Sequence, residues 1–135
     1  MIVLDASAAF AMVTAAAEGE AFWAFAMEGE KMIAPTLFRF ELLNVVRKYV
    51  KAGFATEKAA LEWYRSGIAL VDEFHSMDGA EAEILHESLR LDHSSYDLAY
   101  LVLARRTGAT LFTLDGKLAD ACERCGVSCT GVVAL

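Results

Sequence analysis

Residues 93–115 read HSSYDLAYLVLARRTGATLFTLD. Between Leu98 and Ala104 the only polar side-chain group is the Tyr100 hydroxyl. A helix that is apolar on every side is a buried one, so the segment reads as a core helix from Ser95 to Arg106. Gly108 stops it, and TLFT (110–113) follows as a short strand rich in β-branched and aromatic residues. A helix that feeds a strand through so tight a turn runs antiparallel to it. The start of the helix, with Asp97, and the end of the strand, with Asp115 just beyond, therefore lie at the same edge. That sets a problem, because burying an unpaired charge costs several kcal/mol, roughly. Asp97 must have a partner, a cap to make or a task.

The rest of the chain supplies a setting. Ile2–Leu4 reads as a strand, Ser7–Val13 as a helix, and Glu18–Glu28, with Phe22, Trp23 and Phe25, as another. Met32–Ala34 reads as a second strand stopped by Pro35. Thr36 is expected to cap a helix to about Lys51, ended by Gly53, and Thr56 to cap the next, to about Leu70. Val71–Phe74 reads as a short strand and Gly79–Leu91 as a helix. After TLFT comes an amphipathic helix over Asp115–Cys125, and the tail VVAL is expected as an edge strand. Strands separated by helices predict an α/β fold, a three-layer α/β/α sandwich around a mainly parallel sheet. No repeat, linker or low-complexity segment divides the chain, so residues 1–135 are expected to form one domain.

In open α/β sheets ligands bind at the carboxyl edge of the strands. Asp5 follows the first strand and Asp115 follows TLFT, both at that edge. Glu41 falls about one and a half turns into the helix after the second strand. At ~1.5 Å per residue that is within about 10 Å of the edge. Four acids from four distant segments, Asp5, Glu41, Asp97 and Asp115, are thus expected on one rim.

Each acid has a plainer role on offer. Ser94 and Asp97 have the spacing of a capping box, with Asp97 near the positive end of the helix dipole. Asp115 fits an N-cap, and Asp5 fits a cap for the helix near Ser7. Glu41 is harder to place, since Phe40, Leu42, Leu37 and Val45 set it on or beside a buried face. Together the four repel one another and cannot all ionise without compensation. A divalent cation supplies it, and oxygen donors with open positions suit Mg²⁺ or Mn²⁺. Zinc would want His or Cys. His75, His86 and His93 show no ligand spacing; His75 and His86 are expected at the surface, while His93 lies near the rim and stays open, a bystander being the plainer reading.

Composition limits the alternatives. Apolar residues make up 56% of the 135, enough for a real core and against disorder. Nineteen acids against twelve bases give −7, which argues against non-specific coating of a nucleic acid. The start, MIVLDASAAFAMVTAAAEGE, is apolar but has no Lys or Arg ahead of the apolar stretch and is interrupted by Asp5. It reads as the first structural element rather than a secretory leader. No run reaches the ~18 uncharged apolar residues of a membrane span. A cytoplasmic protein without membrane contact is expected. Cys122 and Cys125 form a CxxC followed by Cys129, without a second pair or a nearby His. Leu118, Ala121, Cys122 and Cys125 instead form one apolar helix stripe, with cysteine as a small hydrophobe.

These same segments carry a family likeness. IVLDAS (2–7), PTLFRFELLN (35–44), SSYDLAYLVLA (94–104) and TLFTLDGKLA (110–119) together resemble the PIN-domain nucleases, and most of all the VapC-type toxic ribonucleases of bacterial toxin–antitoxin pairs. Any one motif is weak, but the four occur in order over essentially the whole chain. The resemblance implies a parallel α/β/α sandwich. It implies that Asp5, Glu41, Asp97 and Asp115 are an acidic quartet holding Mg²⁺ or Mn²⁺, with Asp5 and Asp97 the foremost ligands. Ser7 and Thr113 match the small hydroxyl positions beside the first and last acids, and Asn44 matches an Asn three residues after the Glu. It further implies a homodimer, an RNA substrate and a small antitoxin partner whose tail lies along a groove.

The chemistry so implied is hydrolysis of an RNA phosphodiester, with a carboxylate-held metal orienting water and stabilising phosphate charge. Arg47, Lys48 and Lys51, or else Arg105, Arg106 and Lys117, are candidates to guide the RNA backbone. The plainer reading is that these cations solvate helix faces. Of the aromatics, Phe22, Trp23, Phe25, Trp63 and Tyr64 are expected mostly in the core, with some lining a dimer or antitoxin groove. Two rivals remain. A phosphatase using Asp5 as nucleophile would want a second acid where Ser7 stands. An inactive binding module on the same scaffold would normally have lost one or more of the acids, and this chain keeps all four.

Overall fold

Strand β1 (Ile2–Leu4) is buried throughout and carries no polar side chain, as the centre of a sheet covered on both faces requires. The structure, a computed structural model, describes residues 1–26 and 29–131. Among them the order continues through α1 (Ala6–Val13), α2 (Ala17–Phe25), β2 (Met32–Pro35), α3 (Phe38–Lys51), α4 (Glu57–Ala69) and β3 (Glu73–His75). It ends with α5 (Glu81–Leu91), α6 (Ser95–Thr107), β4 (Thr110–Thr113), α7 (Gly116–Cys125) and β5 (Cys129–Gly131).

The strands lie in the order β3-β2-β1-β4-β5 and every neighbouring pair is parallel. Ile2 stands opposite Met32 on one side and Thr110 on the other. From β1 the chain steps outward to β2 and β3, then returns past β1 to β4 and β5. Parallel crossovers are right-handed, so this reversal puts α1–α4 on one face and α5–α7 on the other. Accordingly α1 packs on α2, α3 and α4, while α6 packs on α5, α7 and the three central strands. The result is the expected three-layer sandwich, and β1 and β4 flank the point where the strand order reverses.

Each face has its own core. Residues Leu98–Ala104 of α6 are all buried, which accounts for the apolar run. On the opposite face Phe22 stacks on Phe112, 5.1 Å between ring centres. Phe10, Tyr49 and Trp63 form a cluster among α1, α3 and α4, with Phe10 4.6 Å from Tyr49 and 5.4 Å from Trp63. Glycine lets α2 lie directly on α1: a Cβ at Gly19 would stand 2.0 Å from the Ala11 carbonyl oxygen. On the α5–α6 side Glu83 and Glu87 are bridged to Arg105, Arg106 and Arg90 at 2.7–2.9 Å. Arg90 first, then Arg105, hold the Glu87 carboxyl down at about 2.

Several expectations need adjustment. Helix α2 spans Ala17–Phe25, and Glu28 lies outside the described residues. Thr36 does not cap α3: its N–H donates to the His75 carbonyl at 3.0 Å, extending the β2–β3 ladder, and the helix begins only at Phe38. β2 runs through Pro35, and β3 occupies Glu73–His75 rather than Val71–Phe74. The tail VVAL lies outside the described residues, and the edge strand is Cys129–Gly131 just before it. The three thiols are free, with Cys122 buried in the core and Cys125 and Cys129 packed against it. Among the described residues no helix is long and apolar enough to cross a membrane.

The contact at Gly19 makes a stability prediction. Gly19→Ala drives a methyl into backbone that cannot yield by a rotamer change, and is expected to cost about 2–3 kcal/mol in urea unfolding. A loss within a few tenths would mean that α1 and α2 part readily.

Candidate metal centre at the carboxyl edge of the sheet

Asp5 leaves the end of β1 and caps α1. Its Oδ1 accepts from the Ala8 N–H at 2.9 Å and from the Ser7 hydroxyl at 2.7 Å, while Oδ2 accepts from the Thr113 hydroxyl. Ser7 in turn accepts from the Leu114 N–H at 3.0 Å, and Thr113 from the Asp115 N–H at 2.9 Å. These bonds fix the carboxylate and lace β1 to β4. Asp5 is only 6% exposed. Burial raises its pKa to about 6 against the lowering effect of those donors, with the Asp115 charge adding to the rise.

Asp115 is the N-cap of α7, accepting from Lys117 N–H at 3.0 Å and Leu118 N–H at 3.4 Å through Oδ1. Its Oδ2 is left to face the rim. Asp97, in the first turn of α6, does not close a capping box. Ser94 caps by accepting from the Tyr96 N–H at 3.1 Å, and the Asp97 carboxylate is drawn to His93 instead, 3.0 Å from Nε2. Burial raises the Asp97 pKa, then Asp115 does, and His93 opposes them.

His93 is therefore no bystander. Its side chain is 9% exposed and its Nε2 lies 3.0 Å from Asp97 Oδ2 and 4.0 Å from Asp115 Oδ2. Donor atoms of His93, Asp97 and Asp115 all fall within 4.8 Å of one another. Despite that closeness the buried Nε2 makes no hydrogen bond of good geometry. His75 and His86 lie elsewhere, beside Glu73 and Glu87.

Glu41 sits in the first turn of α3, nearer the edge than one and a half turns. It is half-buried, and its Oε1 is sealed from solvent with no hydrogen-bond partner. The Tyr100 hydroxyl is sealed and unpartnered as well. The two face each other closely enough to shift each other's ionisation, although short of a proper hydrogen bond. Burial raises both pKa values, and for Glu41 the Asp97 and Asp5 charges add to it.

The four acids thus come within electrostatic reach of one another at the carboxyl edge. Asp97 and Asp115 share a ligand-sized space with His93, while Asp5 and Glu41 stand outside that closest set. Asn44, on α3, is exposed. Arg105 and Arg106 are committed to Glu83 and Glu87, so they are not free to guide an RNA. Arg47, Lys48 and Lys51 are exposed and have no ion-pair partner among the described residues. Trp23 and Phe25 are exposed, whereas Phe22 is in the core and Trp63 and Tyr64 pack against it. The sequence left His93 open near the rim and gave Tyr100 no place in the site. The signals were a His four residues before the helix-mouth Asp, and the single hydroxyl within the apolar run.

A divalent cation fits this arrangement. Three of the carboxyls hold raised pKa values because burial outweighs the groups that lower them, and Glu41 Oε1 and His93 Nε2 are buried polar atoms without a hydrogen-bond partner among the described residues. The pH dependence of folding tests the electrostatics. Asp5 has a folded pKa of about 6 against 3.8 for the free group, so its contribution is fully present below about pH 4 and lost as pH rises through 6. In chelator, the stability of the parent relative to Asp5→Asn, which does not titrate, is expected to fall by up to roughly 3 kcal/mol between pH 4 and 7, at about 1.4 kcal/mol per pKa unit. A pH-independent difference in urea unfolding would exclude a buried, uncompensated Asp5.

Comparison with known proteins agrees with this fold. The family model described as PIN domain matches residues 2–124. Ribonuclease VapC12 from two strains of Mycobacterium tuberculosis is 31% identical over 125 residues, covering 89% of this chain and 91% of the relative. Among solved structures, PAE2754 from Pyrobaculum aerophilum superposes with a TM-score of 0.71 at 21% identity, over 89% of this chain and 83% of the other, a likeness of fold. The chain belongs to the PIN-domain family and, within it, to the VapC type.

Proposed function

We propose that residues 1–135 form one nuclease domain, a metal-dependent endoribonuclease acting as the toxin of a toxin–antitoxin pair. The observation that carries this reading is the meeting of Asp5, Glu41, Asp97 and Asp115, from four separate segments, where the strand order of a PIN-type sheet reverses. Those acids would hold Mg²⁺ or Mn²⁺. When bound, the cation lowers the pKa of a water and draws charge from a phosphoryl oxygen.

The chain's own residues do the positioning. Ser7, Thr113 and the Ala8 N–H hold Asp5 in one orientation, and the buried α6 holds Asp97. Burial sets the Asp5 pKa at about 6, so above that pH its carboxylate would be in the charged form that a cation needs. Glu41 and Tyr100 close the α3 side of the rim, and Asn44 lies one turn further along α3. Arg47, Lys48 and Lys51 offer an uncommitted cationic row for the RNA backbone. Exposed apolar residues such as Phe40, at 76%, and Phe54, at 79%, support interfaces with a small antitoxin and with a second copy of the chain. The free thiols fit a cytoplasmic setting.

Purified protein is expected to cleave structured RNA with Mg²⁺ or Mn²⁺ and to stop with chelator. Asp97→Asn should lose about a hundredfold or more in rate, equivalent to ~3 kcal/mol of barrier. An Asp97→Asn protein as fast as the parent would sink the metal-site reading, and a parent inactive on all RNAs would favour a binding module. Replacing Arg47, Lys48 and Lys51 together by Ala should raise KM for RNA and flatten its salt dependence by up to about 2–3 in log–log slope. An unchanged slope would mean that this row only solvates α3.

A further inference from the structure

Among the described residues one imidazole, that of His93, stands with two of the rim carboxylates. The side chain of His93 is more than nine-tenths buried, its Nε2 is sealed from solvent, and no hydrogen bond satisfies it. Such a nitrogen calls for a partner that the described residues do not provide in good geometry. The ring is aimed there by its own backbone: the His93 N–H donates to the Ser88 carbonyl at 3.1 Å, and the Ser88 hydroxyl donates to the His93 carbonyl. Asp92, in the left-handed conformation at φ 50°, turns the chain from α5 into this clamp.

The distances suit shared coordination. Two donors of one ion, each about 2.1 Å from it, stand about 3 Å apart when adjacent and about 4.2 Å apart when opposite. Nε2 is 3.0 Å from Asp97 Oδ2 and 4.0 Å from Asp115 Oδ2. We propose that His93 is a nitrogen ligand of the metal centre, forming with Asp97 and Asp115 a mixed nitrogen–oxygen set that favours Mn²⁺ over Mg²⁺. An all-carboxylate site suits Mg²⁺, a hard ion that prefers oxygen and retains its waters, whereas imidazole binds first-row transition ions. The inference rests on the reading of the rim as a metal centre and names the ion that this chain selects.

The test measures binding rather than cleavage. Mn²⁺ and Mg²⁺ affinities are taken by calorimetry for the parent, His93→Gln and Asp97→Asn, with thermal unfolding to check that each folds. Electron spin-echo spectra are recorded on the Mn²⁺-loaded proteins. The parent should show the nitrogen coupling of a directly bound imidazole, and His93→Gln should lose it. His93→Gln should bind Mn²⁺ about tenfold or more weakly, within the range by which ligand-shell changes alter affinity, and Mg²⁺ less than about threefold more weakly. Absence of nitrogen coupling in the parent, which needs no variant, overturns the proposal, as do equal losses for the two ions. If Asp97→Asn loses Mn²⁺ while His93→Gln keeps it, only the histidine assignment fails. If the parent binds neither ion, or Asp97→Asn binds Mn²⁺ as the parent does, the metal centre itself fails with it.

Discussion

A single hydrogen bond, from the Thr113 hydroxyl to the Asp5 carboxylate, ties residues 108 apart in the chain. It joins the ends of the two strands between which the sheet changes direction. The Leu114 N–H to Ser7 runs beside it, so each strand end holds the other's loop. Without the parallel pairing of β1 and β4 there is no common edge, and the acids become unrelated caps on separate helices. The same bond keeps Asp5 in place although burial disfavours its charge. Capping and site-building are thus one arrangement: the carboxylate that starts α1 is also the one that faces the rim.

Much of this was legible in the sequence where local and global preferences agreed. The run from Leu98 to Ala104 could only be a covered helix, and Gly108 followed by TLFT could only return the chain to the sheet edge. Asp115 and Asp5 were readable both as caps and as rim acids, and they are both. The errors lie where a tertiary partner outweighs a local one. Thr36 has the chemistry of a cap, but its N–H is drawn into the strand ladder by His75. Ser94 and Asp97 have capping-box spacing, but His93 takes the carboxylate. The charge of Arg105 and Arg106 is visible in the sequence, whereas its neutralisation depends on α5 lying alongside, which no periodicity reveals.

The rim is assembled by elements that are stable for reasons of their own. α6 is held by its apolar surface, α7 by its cap, α3 by packing of Phe38, Leu42 and Val46. None of them depends on attraction among the acids, which repel. A like-charged cluster of this kind persists because the scaffold is over-determined elsewhere. The sealed Glu41 Oε1 and His93 Nε2, without hydrogen-bond partners among the described residues, are the residue of that compromise.

The α5–α6 ion-pair network has an effect beyond joining two helices. Its three arginines share two glutamates at 2.7–2.9 Å, so most of the positive charge on that side of the molecule is offset locally. The row on α3 is not cancelled in this way among the described residues, while the chain as a whole carries −7. At distances near the Debye length of about 8–10 Å the net charge opposes a polyanion, and the α3 row is one place among the described residues where that opposition is locally offset. Approach along α3 is thereby opposed less than approach along a face without such a row, a bias on orientation that acts before contact.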